Sequence, residues 1–266
     1  MRRAVDVQER VDMTTVGLLY PGHAAEDDFP RTEILLDTDI RLPLFSTETG
    51  EDAYRPDALR EQGEAARIAE GVEELRLAGA EALVWASSGG SFGQGWEGAH
   101  EQIATLARTA GLPASSTSIG FGHAVRELGA HRVAVASPYP EDVTGIFAGF
   151  LASAGVEVVA AASGGAASSA EAGSWDPERV KGLAREADHP DAEVVLIPDT
   201  SLHTVAYVPE LEELLGKPVL AANQVTVWEG LRLTDRRTWA PTLGTLFATR
   251  EPVLRKLEPK GIEVRE

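Results

Sequence analysis

Short apolar runs alternate with longer stretches of helical period along this chain, the pattern of βα units wrapped around parallel sheets. The first run, Thr14–Tyr20 (TTVGLLY), ends at Pro21-Gly22-His23. An amphipathic stretch follows in which Ala65, Ile68, Ala69, Val72 and Leu75 share one face, with Gly79 placed as its stop. Ala82–Ala86 (ALVWA) reads as a buried strand opening straight into SSGGSFGQG, and a helix over Trp96–Ala110 comes next. His131–Ala136 is a strand ending at Ser137-Pro138-Tyr139-Pro140. A helix from Glu141 to Ala154, closed by Gly155, leads to the strand Val156–Ala160. The Ala/Gly/Ser-rich stretch Ala161–Gly173 reads as a surface loop or a frayed helix start. A helix over Asp176–Ala187 precedes the strand Glu193–Ile197, which ends in Pro198-Asp199-Thr200-Ser201. A helix around Val205–Leu215, a short strand Pro218–Ala221 and a helical NQVTVWEGLRL complete the series. Periodicity is weak after Asp235, and this tail is expected to fold back onto the first lobe.

The two halves echo each other. In each, an apolar strand ends in small polar residues (ALVWA-SSGG and VVLIP-DTSL), a helix follows, and then comes Gly-x-Pro-apolar (Gly111-Leu112-Pro113-Ala114 and Gly216-Lys217-Pro218-Val219). Chance recurrence of a common βαβ design is one reading of this echo. The other is a duplicated α/β fold whose polar strand ends face each other across a cleft, because ligands of open α/β folds bind at the carboxyl ends of strands. On that reading residues 1–125 with 233–266 form the first lobe and residues 126–232 the second.

Composition narrows the function classes. The chain has 42 acidic against 24 basic residues, a formal charge of −18, which repels phosphate backbones and argues against nucleic acid as partner. No apolar run approaches the roughly 20 residues that span a bilayer. The opening MRRAVDVQERVDM lacks the apolar stretch of a signal peptide, so a cytoplasmic location is the expectation. Cysteine is absent, which removes disulfides, thiolate metal sites and thiol catalysis. No His/Asp/Glu spacing suggests a metal site, and no G-x-S-x-G elbow supports a hydrolase triad.

GLLYPG near the N-terminus, SSGGSF, SPYPEDV, PDTSLHT and GKPVLAANQVTVWEGLR together resemble the aspartate/glutamate racemase superfamily, in its maleate isomerase and arylmalonate decarboxylase branch. The resemblance spans Thr14 to Arg232. It implies an α/β protein of two pseudo-symmetric lobes, each a parallel four-stranded sheet flanked by helices, with the active site between them. It further implies proton-transfer chemistry without a cofactor on a small carboxylate or dicarboxylate, and a homo-oligomer, expected as a dimer. Enzymes of the superfamily use one or two cysteines. Here Ser87 stands in the place of the first and Asp199 in that of the second, while Ala24 stands near the isomerases' first-loop asparagine. The resemblance leaves an anion-binding shell of Pro21, Gly22, Ser88, Gly89, Gly90, Ser91, Tyr139, Thr200, Ser201 and His203.

Serine is neither base nor nucleophile without a partner, whereas an aspartate desolvated beside bound carboxylates has its pKa raised toward neutrality. Asp199 is therefore the candidate acid/base and Ser87 its opposite partner as a hydrogen-bond donor. Blander readings stand beside these: Asp199 as a helix N-cap, SSGGSFGQG as a plain strand–helix connection, Tyr139 as a turn aromatic, and His23 and His203 as solvated loop residues. A silent relative that binds a small organic acid, as sensor or partner subunit, is the rival function.

Overall fold

The computed structural model describes residues 13–36, 39–48 and 50–249. Two wholly parallel sheets form its centre. In the first, β1 (Thr14–Pro21) lies between β4 (Ala82–Trp85) and an edge made of two short strands, β2 (Ile40–Arg41) and β3 (Leu44–Thr47). β5 (Ala114–Ser116) completes the far side of β4. The second sheet runs β7 (Glu157–Ser163), β6 (Arg132–Ser137), β8 (Val194–Ile197), β9 (Val219–Ala221). Each sheet thus has four strand positions in the same order, although the first counts five strands because Leu42-Pro43 divides its edge. Proline brings no N–H to a ladder, so the edge is where such an interruption is tolerated.

The echo between the halves is structural. The helices α6 (Gly95–Ala110) and α11 (Val208–Leu215) end on Gly111 (φ 66, ψ 25) and Gly216 (φ 66, ψ 23), two left-handed caps of the same geometry. The prolines that follow then present their carbonyls to matching strands: Leu83 N–H donates to Pro113 at 2.9 Å and Val195 N–H to Pro218 at 3.0 Å. β4 and β8 are buried throughout, as a strand covered on both faces requires.

Helices surround the sheets: α1 (Asp28–Leu35), α2 (Pro56–Gln62), α3 (Ala65–Ala69), α4 (Val72–Leu77), the single turn α5 (Gly89–Phe92), α7 (Thr117–Glu127), α8 (Glu141–Ser153), α9 (Ser169–Gly173), α10 (Pro177–Ala187) and α12 (Ala222–Leu233). Three points about them were not given by the sequence pattern. The amphipathic run at 65–77 is two helices, broken at Gly71, where a Cβ would lie 2.2 Å from the Phe45 ring; the periodicity saw one face but not the bulky neighbour that needs the gap. The Ala/Gly/Ser stretch is no plain loop. β7 continues to Ser163, Trp175 packs over Gly164, and Ala166 and Ala172 are buried. Finally α12, late in the chain, lies on the first sheet: a Cβ on Gly230 would meet Val16 at 2.3 Å and Val84 at 3.2 Å.

The tail also differs from expectation, because it touches both halves. Its 3₁₀ turns at 241–248 contact α1 on one side and α11 and β9 on the other. Glu212 accepts from Thr245 N–H at 2.9 Å, Gln224 donates to the Leu243 carbonyl at 2.5 Å, and Arg236 pairs with Asp39 at 2.8 Å.

Candidate functional site

The carboxyl ends of β4 and β8 carry the two polar loops, and both loops are inside the protein. Ser87 is 2% exposed and Asp199 is 3% exposed. Ser88, Gly89, Gly90, Ser91, Thr200 and Ser201 are buried with them. An aromatic chain joins the loops. Phe92, at the end of the SSGGSF turn, meets the edge of Tyr139 at 5.6 Å between centroids, and Tyr139 meets Tyr54 at 4.7 Å with the rings perpendicular. Tyr54 then donates its hydroxyl to Asp199 Oδ2. Tyr139 donates to the carbonyl of Pro198, the residue before Asp199, at 3.1 Å.

Asp199 is held from two sides. Its Oδ2 accepts from Tyr54, and its Oδ1 accepts from the backbone N–H of Ser201 at 2.9 Å. Burial pushes the carboxyl up from 3.8 to about 6, and nearby Asp52 adds repulsion, against the lowering effect of the Tyr54 and Ser201 donors. The Ser201 contact has the form of an Asx turn, so Asp199 shapes its own loop as well. Desolvation and the negative field of Asp199 raise the hydroxyl pKa of both Tyr54 and Tyr139, which keeps them as phenol donors.

Ser87 is differently placed from what its position in the motif suggests. Its Oγ accepts from Gly90 N–H at 3.0 Å and donates to Gln62 Oε1 at 3.1 Å, so its one proton is committed. Ser88 Oγ, by contrast, is buried with no partner among the described residues. Beneath it the backbone is pinned by Ser118, whose hydroxyl donates to the Ser88 carbonyl at 2.9 Å. Ser91 is bonded to Ser116 at 2.7 Å and faces the core. Of the hydroxyls in this loop, Ser88 is the one with a donor to offer a ligand.

The remaining candidates lie at the rim. Pro21 and Gly22 are half-buried at the end of β1, with Gly22 at φ 73 and donating to the Thr47 carbonyl at 3.2 Å. Gly22 lines a hollow of about 430 Å³ with His23, Ser46, Thr47, Glu48 and Gly50. Thr47 Oγ1, like Ser88 Oγ, is buried and has no partner among the described residues. His23 is exposed beside Glu26 at 3.4 Å. His203 reaches across to Asp27 at 2.9 Å.

Tyr54 and Gln62 escaped the sequence reading; Tyr54 lies two residues before α2 and Gln62 is its last residue. This short helix, whose seven residues advance about 10 Å at 1.5 Å each, supplies the partner of Ser87 from its last residue, and the loop that enters it supplies the partner of Asp199. The loop before α2 is fastened to the second half: Tyr54 N–H donates to the Ala167 carbonyl at 2.8 Å, and Asp52 accepts from Ser169 N–H at 2.8 Å and Ala170 N–H at 3.1 Å at the start of α9. No cluster of acidic and histidine side chains able to hold a metal occurs among the described residues.

Comparison with known proteins accords with this architecture. Residues 59–247 match the family model described as arylmalonate decarboxylase. An arylmalonate decarboxylase of Bordetella bronchiseptica is 31% identical over 140 residues, covering 52% of this chain and 58% of that protein. A maleate isomerase of Geobacillus stearothermophilus is 28% identical over 137 residues, covering 51% and 55%. The match thus spans little more than half the length of these curated relatives. A solved structure of a Nocardia farcinica maleate cis-trans isomerase variant, with a covalently bound succinylcysteine intermediate, superposes with a TM-score of 0.77 over 90% of this chain and 100% of that one, at 21% identity. With the family model covering most of the two-sheet architecture, the chain belongs to the arylmalonate decarboxylase family.

Proposed function

We propose that the protein is a cofactor-independent lyase or isomerase that moves a proton on a small carboxylate or dicarboxylate, with Asp199 as the acid/base. The observation that carries this is the Asp199 carboxyl itself: buried at a strand end, poised at about 6, and gripped by a phenol and a backbone N–H. An acid near the working pH is where general acid–base catalysis is most effective. The relatives named above as decarboxylase and isomerases support the substrate class. Thiolate routes are closed to a chain without cysteine.

In a decarboxylation, the bond between the α-carbon and the departing carboxylate breaks and its electron pair becomes an enediolate. The Ser88 hydroxyl would donate to that anion, and neutral Asp199 would deliver its proton to carbon. In an isomerisation by proton transfer, ionised Asp199 would first remove a proton and then return it. Ser87 sits on the opposite loop, holding the Gly-rich turn in shape through Gly90 while Gln62 occupies its proton.

The pH profile separates the two. An acid role makes kcat/KM fall as pH rises through about 6, and a base role makes it rise there. Asp199→Asn is expected to abolish turnover and leave ligand affinity near that of the wild type. Loss of both, or of neither, would remove Asp199 from the chemistry. A second reading has one observation in its favour: the hydrogen-bonding groups of Asp199 and Ser87 are already satisfied by Tyr54, Ser201 and Gln62, as suits a binder that turns nothing over. Incubation with malonate-, maleate- and hydroxy-acid-type compounds in D₂O decides. Deuterium at the α-carbon supports the enzyme, and thermal stabilisation without exchange supports the binder.

A further inference from the structure

The loop that carries Asp199 is shaped largely from the other half of the chain. Asp28, on the first turn of α1, is 1% exposed and turns Oδ2 toward three donors: Thr204 N–H at 3.0 Å, Val205 N–H at 3.2 Å and Asn223 Nδ2 at 3.0 Å. The same Asn223 amide donates to the Leu202 carbonyl at 3.3 Å. A second anchor comes from β1, where Tyr20 donates to the Thr200 carbonyl at 3.0 Å while accepting from Ala25 N–H at 2.9 Å. Gly173 packs against the loop on a third side and against Ala24 beyond it, since a Cβ on Gly173 would touch both Ser201 O at 3.2 Å and Ala24 at 3.3 Å.

Residues 199–204 belong to no strand or helix, so their buried backbone groups need partners from elsewhere. Asp28 supplies one to two consecutive N–H groups, and Tyr20 supplies one to a carbonyl. A buried carboxylate is costly to keep, and desolvation raises the pKa of Asp28. The charged and titratable groups around it are His203, which pairs with Asp27, and the phenols Tyr20 and Tyr207. None of these neutralises it by direct contact. The three donors on Oδ2 offset part of that cost, while Oδ1 is buried with no partner among the described residues.

We propose that Asp28 is a positioning residue: acting from the first lobe, it fixes the loop after β8 and so keeps Asp199 buried against Tyr54. The inference rests on the reading of Asp199 as acid/base, but the geometry can be tested without turnover. The carboxyl carbons of labelled aspartates are followed by NMR through a pH titration, with Asp199 assigned by its loss in Asp199→Asn. The wild-type midpoint is expected at about 6. Asp28→Ala releases the loop and lets water reach Asp199, so its midpoint falls by about one unit or more. Asp28→Asn keeps an acceptor for Thr204, Val205 and Asn223, and its NH₂ replaces an Oδ1 that is buried with no partner among the described residues; its midpoint stays within about half a unit of wild type.

An unmoved midpoint in Asp28→Ala overturns the proposal whatever happens to thermal stability. An equal fall in Asp28→Asn and Asp28→Ala also overturns it, because removal of a charge then explains the shift without any clasp. If Asp28→Ala does not fold, Tyr20→Phe takes its place: loss of its bond to Thr200 should move the midpoint down by a smaller amount, and no movement refutes the idea. A midpoint that falls as expected in a protein that turns over none of the acids tried leaves the clasp standing and removes the enzymatic reading.

Discussion

Replacing Asp199 by asparagine should change how stability depends on pH, in a way calculable from the structure and independent of any substrate. The carboxyl titrates at about 6 in the fold against 3.8 in the unfolded chain. That separation of about two units corresponds to about 3 kcal/mol at about 1.4 kcal/mol per unit. Because the folded value is the higher one, the native state holds the proton more tightly. The stabilisation is fully present below 3.8 and is lost as pH rises through about 6. At neutral pH the protein therefore carries a buried charge that an amide would not. The asparagine also fits the site: its oxygen can accept from Ser201 N–H, and its NH₂ can donate to a rotated Tyr54 hydroxyl, taking the place of the two bonds now made by the carboxylate.

The assay is urea unfolding of wild type and Asp199→Asn at half-unit steps from pH 4 to pH 8. The difference in unfolding free energy, variant minus wild type, should rise by about 2.5 kcal/mol between pH 4 and pH 7 and then level off. Equal slopes in denaturant for the two proteins would show that the denatured states are comparable. A difference that stays flat over this range would mean that Asp199 does not titrate near 6, and the acid/base role would fall with it. A difference that instead falls as pH rises would mean a folded pKa below 3.8, as for a carboxylate held by ion pairs, and would equally remove the acid/base role.

Three further outcomes follow from particular contacts. Tyr54→Phe removes a hydroxyl that lowers the pKa of Asp199, so the Asp199 midpoint should rise above about 6, by roughly one unit, in the same NMR titration. Gly71→Ala drives a methyl into the Phe45 ring, at 2.2 Å from its nearest atom, and should lower the unfolding free energy by about 1–3 kcal/mol in urea melts without altering the site. Glu229, fully buried, accepts from Arg232 at 2.7 Å, His123 at 2.9 Å and Ser115 at 2.6 Å; Glu229→Ala strands these partners at a cost of about 3–5 kcal/mol. Although desolvation opposes it, the Arg232 and His123 bonds hold the Glu229 carboxyl below its usual range, so the stabilisation is present above the unfolded value of 4.5 and fades as pH falls through the lower folded one. The gap between Glu229→Ala and wild type should accordingly narrow in acid.

What the sequence made legible follows from how far apart the interacting residues lie. The strand ends, the two Gly-x-Pro turns and the small polar loops after β4 and β8 are local patterns, each decided within about ten residues, and they lie where the periodicity puts them. Asp199 and Tyr139 stand inside such patterns and could be picked out. Tyr54 could not: it lies in an acid-rich loop without period, just before the proline that starts α2, and its partner is 145 residues away. The pair Asp28 and Asn223 is separated by 195 residues, and each alone reads as an ordinary polar position near the start of a helix. Ser87 is the converse case. Its place in the motif matched a catalytic position, but the only measure of what its hydroxyl can do is where its proton points, and Gln62, in another helix, decides that. A motif identifies which loops form the site. The protonation state and free donors of those loops are set by residues that the second half of the chain and the first supply to each other, and only the fold brings these together.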